Sequence, residues 1–234
     1  MRMKRLLVPD FWKTSKKLSK WVVSPSPGAH KKLESIPLVI VLRDILKLVE
    51  TASEAKTVVK NKEILVDGKS VSHSRFSIGL MDTLSIPKIG KNFRVVPSVK
   101  GLHLIDIPEK ETKEKLSTIK SKTVMKGKKI QLNLHDGKNV LVDKDSYRTG
   151  DSLLLELPSN KIIDHVKMEG GNLGLIIHGK NSGKLAKIKK ILVSRSREPN
   201  KIICEAHGKE FEVMKEHVIV VGKTKPLVSV GEQE

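Results

Sequence analysis

Gly179-Lys180-Asn181-Ser182-Gly183-Lys184 is the stretch of this 234-residue chain that comes nearest to a phosphate-binding loop. Such a loop needs four residues between its glycines, then Lys and Ser or Thr, so that backbone amides wrap the phosphates and the hydroxyl reaches magnesium. Here three residues intervene and Leu185 follows Lys184, so the segment reads as a flexible, basic hairpin turn between two strands. The eight histidines (His30, His73, His103, His135, His165, His178, His207, His217) are spread about one per element. None stand in the i, i+4 or tight pairs that put two imidazoles on one metal. A single cysteine, Cys204, excludes a disulfide framework and reads as a small apolar strand residue. His135 and Asp136 adjoin, but a strand residue beside a turn residue is ordinary. No nucleophile with its base, no paired carboxylates, no metal and no cofactor site are therefore expected, and the chain reads as a non-enzyme.

What remains is positive charge: 45 Lys and Arg against 26 Asp and Glu, a formal net of +19, with 38% apolar residues to build cores. Residues 1–35 hold nine basic groups and two acidic ones, Asp10 and Glu34, a net of +7. Residues 173–197 hold seven basic groups (Lys180, Lys184, Lys187, Lys189, Lys190, Arg195, Arg197) and no acid, again +7. Like charge so concentrated destabilises a compact state unless a polyanion neutralises it, which points to nucleic acid. Only seven aromatics occur (Phe11, Trp12, Trp21, Phe76, Phe93, Tyr147, Phe211), too few for a sheet that stacks successive bases. Recognition is expected to run through phosphates, which ask for charge and reach rather than base-specific geometry. The apolar run Ile36–Leu42 is seven residues and contains Pro37, against roughly 18 needed to span a bilayer. Leu6, Leu7 and Val8 stop at Pro9-Asp10, too short for a signal-peptide core. No membrane partner and an intracellular location are expected.

The elements that would position these charges follow from periodicity. Residues 1–35 lack a sustained period and contain Ser24-Pro25-Ser26-Pro27-Gly28, so they read as an extended arm that Trp12 and Trp21 tack onto the body, packing being favoured over base stacking. Leu38, Leu42, Ile45, Leu46 and Val49 recur at helical spacing opposite Arg43, Lys47 and Glu50. Thr51 and Glu54 have capping-box spacing before a second helix with Ala55, Val58 and Val59 inside and Lys56 and Lys60 outside. A strand at Ile64–Val66 turns at Asp67-Gly68, and the unit closes with a strand near Leu84–Ile86. Beyond Lys88 the chain reads as strands between turns. Ile130, Leu132 and Leu134 alternate into the Asp136-Gly137 turn and Val140–Val142. Glu109–Ile119 is expected to be a short helix. Strands are expected at Leu173–Ile177, Ile188–Val193, Ile202–Ala206, Glu210–Val213 and Val218–Val221.

Several segments together carry a resemblance. Leu6, Pro9, Trp12, Pro27, Gly28 and His30, then Ile36-Pro37-Leu38 with Leu42-Arg43-Asp44, match the start of one family. Residues 38–86, with Asp67-Gly68-Lys69 at the hairpin, resemble a small two-helix RNA-binding fold shared with bacterial ribosomal protein four and several RNA-modifying enzymes. Gln131-Leu132-Asn133-Leu134-His135-Asp136-Gly137 is similar to a central-domain signature, and Glu169–Ile188 looks like a KOW motif. In this order they resemble the small ribosomal subunit protein four family of the archaeal and eukaryotic type. Ala29 replaces an expected proline, and Ala186 and His178 replace glycines frequent in the KOW pattern, while Gly183 keeps the central one.

The resemblance implies an α+β, multi-domain protein. Its expected parts are a basic arm (1–35), a small RNA-binding domain of two helices plus a short sheet (36–89), a central β-rich domain (90–168), an SH3-like KOW barrel (169–222) and a tail (223–234). It implies a structural constituent of the small subunit, bound to small-subunit ribosomal RNA and neighbouring ribosomal proteins, cytoplasmic on the ribosome and monomeric when isolated. Candidate RNA-contacting residues are Arg2, Lys4, Arg5, Lys13, Lys16, Lys17, Lys20, His30, Lys31 and Lys32 in the arm, and Arg43, Lys56, Lys60, Lys62 and Lys69 in the helical unit. Lys180, Asn181, Lys184, Lys187, Lys189 and Lys190 complete them in the barrel. Two other classes compete: an RNA-modifying enzyme, which needs a catalytic aspartate or cofactor pocket in residues 90–234, and a transcription or translation factor whose KOW barrel binds protein.

Overall fold

The structure, a computed structural model, describes residues 2–12, 14–127, 129–194, 196–206 and 208–231, the side chain of Arg2 excepted. The chain divides into two compact units, Met1–Val95 with Lys100–Lys113, and Val96–Val99 with Glu114–Glu234.

In the first unit the N-terminal segment is folded rather than extended. β1 (Arg2–Lys4) and β2 (Trp21–Val23) pair antiparallel, Met3 opposite Val22 and Lys4 opposite Trp21. Met3, Val8, Trp12 and Val22 enter the unit's hydrophobic core. The Trp12 indole is fully buried and donates from Nε1 to the Ser35 carbonyl at 3.0 Å. These apolar residues follow no period, so the sequence reads as an arm, yet each finds a place in a core built by residues far along the chain. Trp21 does not pack inward; it stays 44% exposed.

β3 (Ile36–Pro37) leads into α1 (Leu38–Ile40), which widens into a looser helical turn over Val41–Ile45. This helix stops short of the expected Val49, and Leu38 to Leu42 are buried all round instead of along one stripe. Lys47 ends it in the left-handed region, at φ 52°, and Leu48 N–H closes onto the Leu42 carbonyl at 2.9 Å. The N–H groups of Leu38 and Val39 at its start donate to the carbonyls of Phe76 (2.9 Å) and Ser74 (3.0 Å), which stand in for a capping side chain.

α2 (Ala52–Lys60) begins as its sequence dictates: Thr51 Oγ1 accepts from Glu54 N–H at 3.1 Å, and the Glu54 carboxylate reaches back to the N–H groups of Glu50 (3.0 Å) and Thr51 (3.4 Å). The Glu50 amide first, then the Thr51 contacts, hold Glu54 below the usual carboxylate range. After it come β4 (Leu65–Val66), β5 (Lys69–Ser70), β6 (Ser77–Ile78), β7 (Thr83–Ile86), β8 (Lys91–Ser98) and β9 (Gly101–Asp106). Their sheet runs β5-β4-β7-β8-β9, and β3 pairs with β6. Asp67 and Gly68 both have positive φ (50° and 72°), the tight hairpin turn the Asp-Gly pair announces.

Glu109–Lys113 is a single tight helical turn, and the expected helix beyond it is instead β10 (Glu114–Val124). With β11 (Ile130–Leu134), β12 (Asn139–Val142), β13 (Ser152–Glu156) and β14 (Lys161–Val166), it forms a sheet of order β12-β11-β10-β13-β14. β10 is thus the central strand, and Ile119, Leu132, Leu134, Leu153 and Leu155 cluster on one face. The charged run that reads as helical contains Lys115, which is fully buried and meets the equally buried Asp136 at 3.0 Å. Burial alone would raise the Asp136 carboxyl, but Lys115, with His135 and Lys138 adjoining, overrides it and holds the group below its ordinary value.

The second sheet of this unit joins β15 (Leu173–Ile176), β16 (Leu185–Leu192), β17 (Lys201–Ala206), β18 (Lys209–Met214) and β19 (Val218–Gly222) in the order β18-β17-β16-β15-β19. Val166, Ile176, Ile188, Ile202, Cys204 and Val220 fill its core. Burial pushes the Cys204 thiol up to about 11, so it stays protonated and unreactive. The whole is α+β, with strands predominating.

Candidate nucleic-acid interface

Among the expected contact residues, the structure separates side chains committed to the fold from those left for a ligand. Arg5 is buried, and its guanidinium donates to the Ser15 carbonyl, to Thr14 Oγ1 (2.8 Å) and to Ser19 Oγ (2.8 Å). His30 is closed off as well, its Nε2 at 2.9 Å from Asp82 Oδ2, an oxygen that also accepts from Gly79 N–H at 2.8 Å. The His30 ring lies where a Cβ on Gly79 would stand, so glycine is required there by close approach. Lys16 pairs with Asp10, and Lys31 with Glu34 at 3.1 Å. Lys4, Lys17, Lys20 and Lys32 are exposed and form no ion pair among the described residues. The Arg2 side chain and Lys13 lie outside the described residues.

In the helical unit, Arg43 is clamped by Asp44 through Nε (2.6 Å) and Nη2 (2.9 Å), and that hydrogen bonding raises its already high pKa. Ala55 and Val59 fix the inner face of α2, which turns Lys56 and Lys60 to solvent one helical turn apart. Lys62 follows at φ 59°, and Lys69 projects from β5 just past the Asp67-Gly68 turn. All four are exposed, with no carboxylate within ion-pair distance among the described residues.

The Gly179–Lys184 turn is held more firmly than its composition suggests. Gly183 N–H donates to the Ile176 carbonyl (2.8 Å), Ser182 Oγ to the Ile177 carbonyl (2.6 Å), and Gly179 and Gly183 take positive φ (97° and 85°). Ser182 and Gly183 are buried, so Lys180 and Lys184 project from an ordered turn; Lys184 Nζ touches Asn181 Oδ1 at 3.3 Å. In β16, alternation turns Lys187 outward, and a bulge between Ile188 and Lys190 leaves Lys189 and Lys190 both exposed. Lys189 is bracketed by Glu210 (2.7 Å) and Glu205 (3.2 Å), first Glu210 and then Glu205 raising its pKa. Lys187 stands opposite Glu205 in register, yet that carboxylate goes to Lys189. Lys180, Lys187 and Lys190 remain unpaired among the described residues.

The sequence leads one to expect both Trp12 and Trp21 to pack onto the body, and only Trp12 does. Both tryptophans lie in the same basic segment, and no local signal tells the buried ring from the exposed one. Among the described residues no group of three or more His, Cys, Asp or Glu could hold a metal, and no helix is long and apolar enough to cross a membrane.

Comparison with known proteins gives this geometry a context. Residues 89–162 match the family model described as ribosomal family S4e, and residues 2–33 match the RS4NT domain. A curated relative from Methanosphaera stadtmanae, small ribosomal subunit protein eS4, is 44% identical over 97% of this chain and 95% of its own. The protein of the same name from Archaeoglobus fulgidus is 40% identical over 99% and 98%. The crystal structure of the 30S ribosomal protein S4e from Thermoplasma acidophilum aligns with a TM-score of 0.71 at 31% identity, covering 82% of this chain and 96% of that one.

Proposed function

The chain belongs to the S4e family of ribosomal proteins, and from that premise we propose that it binds small-subunit ribosomal RNA as a structural, non-catalytic constituent of the small ribosomal subunit. The reading places it on the ribosome in the cytoplasm, beside other ribosomal proteins and monomeric when isolated. The observation that carries RNA binding is the set of exposed lysines with no carboxylate partner among the described residues, Lys56, Lys60 and Lys62 foremost, in a chain of net charge +19. A phosphate fits such a lysine because charge and reach suffice.

The finer assignment is part of the same proposal. Residues 36–89 act as the small RNA-binding domain, 90–168 as the central β domain and 169–222 as an SH3-like KOW barrel, which the five-stranded antiparallel sheet and its ordered basic turn support. Contacts run from Lys4, Lys17, Lys20 and Lys32, from Lys56, Lys60, Lys62 and Lys69, and from Lys180, Lys184, Lys187 and Lys190. Arg5 and His30 support the fold beneath them.

Two measurements test this. A lysate fractionated on a sucrose gradient at moderate salt should carry the protein with the small subunit in near-stoichiometric amount; a protein left at the top would refute the assignment. Affinity for ribosomal RNA should fall with salt at a log–log slope of roughly 0.9 per phosphate neutralised, and Lys56→Ala/Lys60→Ala/Lys62→Ala should lower that slope by about 2 to 3. An unchanged slope in the triple variant would remove the helix from the interface.

A further inference from the structure

Trp21 is 44% exposed, and it is exposed in a particular setting. In the β1–β2 ribbon Val22 points into the core, which turns Trp21 to the opposite face with Lys4 directly across from it in register. The Lys20 ammonium lies 5.5 Å from the centroid of the indole, within the distance at which a cation is attracted to the ring face. Beside the ring runs a groove of about 250 Å³ lined by Arg5, Ser19, Trp21, Val22, Val23 and Arg43. That is below the roughly 300–1,000 Å³ of sites for drug-sized ligands, a size that suits one planar ring system.

The walls are preorganised. Arg5 is fixed by Thr14, Ser15 and Ser19, and Arg43 by Asp44, which takes two of the five guanidinium donors. We infer that Trp21 and this groove form a site for a single unstacked nucleobase, with the ring supplying the stacking surface and Arg43, Lys20 and Lys4 holding the adjoining phosphates. The inference rests on the RNA-binding reading above and adds to it a base contact among phosphate contacts. A protein side chain is the competing occupant, since Leu6, Leu7 and Leu18 are also exposed. It is disfavoured because lysine is depleted in the core of protein interfaces, whereas cations beside an aromatic are what a single strand requires.

The test uses the full chain. Trp12 is buried and gives a constant signal, so quenching of tryptophan emission reports Trp21. Oligouridine should quench it; a fully paired RNA duplex of equal length should bind without quenching. Trp21→Ala should weaken oligouridine binding roughly 5- to 150-fold with an unchanged salt slope, while Trp21→Phe keeps most of the affinity. If Trp21→Ala binds oligouridine as tightly as the wild type, the base site is wrong, and a salt-dependent affinity in that variant leaves the ribosomal reading intact. Normal oligouridine binding with failed entry into the small subunit would assign the groove to a protein neighbour and also overturn the inference. A wild-type chain that binds neither RNA would overturn both readings.

Discussion

Residues 2–35 and residues 173–194 hold their positive charge in different ways. In the first, several basic side chains are structural: Arg5 ties Ser15, Thr14 and Ser19 together, the His30 ring is closed against Asp82, and Lys16 and Lys31 answer local carboxylates. In the second, every lysine stands on the outward side of a sheet or an ordered turn, and among the described residues only Lys189 is held by carboxylates. The first stretch has only the short β1–β2 ribbon as regular structure of its own, so charged side chains do part of the work of holding it in shape. The second is pinned by backbone pairing, which leaves its lysines available. A basic residue is therefore a ligand contact only where the backbone is already satisfied without it.

The contrast is greatest where charge is most deeply buried, at Lys115 in β10. Lys115→Ala should destabilise the chain by about 3 kcal/mol, because the buried Asp136 would keep only the longer ion pair with Lys138 at 3.6 Å; urea unfolding measures this. Since the Asp136 carboxyl is held low in the folded state, its contribution is present above the unfolded value and is lost as pH falls through the folded one. Wild-type stability should accordingly drop below about pH 4, and Asp136→Asn should flatten that part of the profile.

Next in size is Arg5→Ala, expected to cost about 2 to 3 kcal/mol through the loss of three hydrogen bonds to a charged, buried donor. Arg5→Lys should not restore it, because an ammonium lacks the planar fork. Lys187→Ala removes the same charge from the β16 surface and should change stability by less than about 0.5 kcal/mol. Equal losses in the two variants would break the comparison.

The smaller effects appear in RNA affinity. Lys187→Ala and Lys190→Ala should each reduce the salt slope by about 0.9, whereas Lys189→Ala should reduce it less. Glu210→Gln, by releasing part of the hold on Lys189, should bring that residue's contribution nearer to its neighbours'. A Lys189→Ala variant indistinguishable from Lys187→Ala would show that the carboxylate bracket opens on contact with RNA.

The parts of the fold legible in the sequence are those whose causes are local. The Thr51–Glu54 capping box sets the start of α2 within four residues, Asp67-Gly68 and Asp136-Gly137 close hairpins between adjacent strands, and alternation marks β11. Those misread have distant causes. α1 and the looser turn that follows it end at Ile45, just before Lys47 takes a left-handed φ, and the first amides of α1 are capped by carbonyls of residues 74 and 76. Glu114–Val124 is a strand because β11 on one side and β13 on the other both need a partner, and because Asp136 waits for Lys115.

The same division runs through the candidate interface. The amino-acid sequence by itself determined the net charge, its concentration in two segments, the absence of a nucleophile motif and the outward placing of Lys56 and Lys60, since each depends on composition or on a few neighbouring residues. Only the tertiary structure decided that Arg5 and His30 turn inward, that Lys189 is taken by two glutamates while Lys187 and Lys190 are not, and that Trp12 is core where Trp21 is surface. Each of those outcomes depends on a partner brought close by folding, and the energy of a charge or an aromatic ring is set by what surrounds it rather than by what precedes it in the chain.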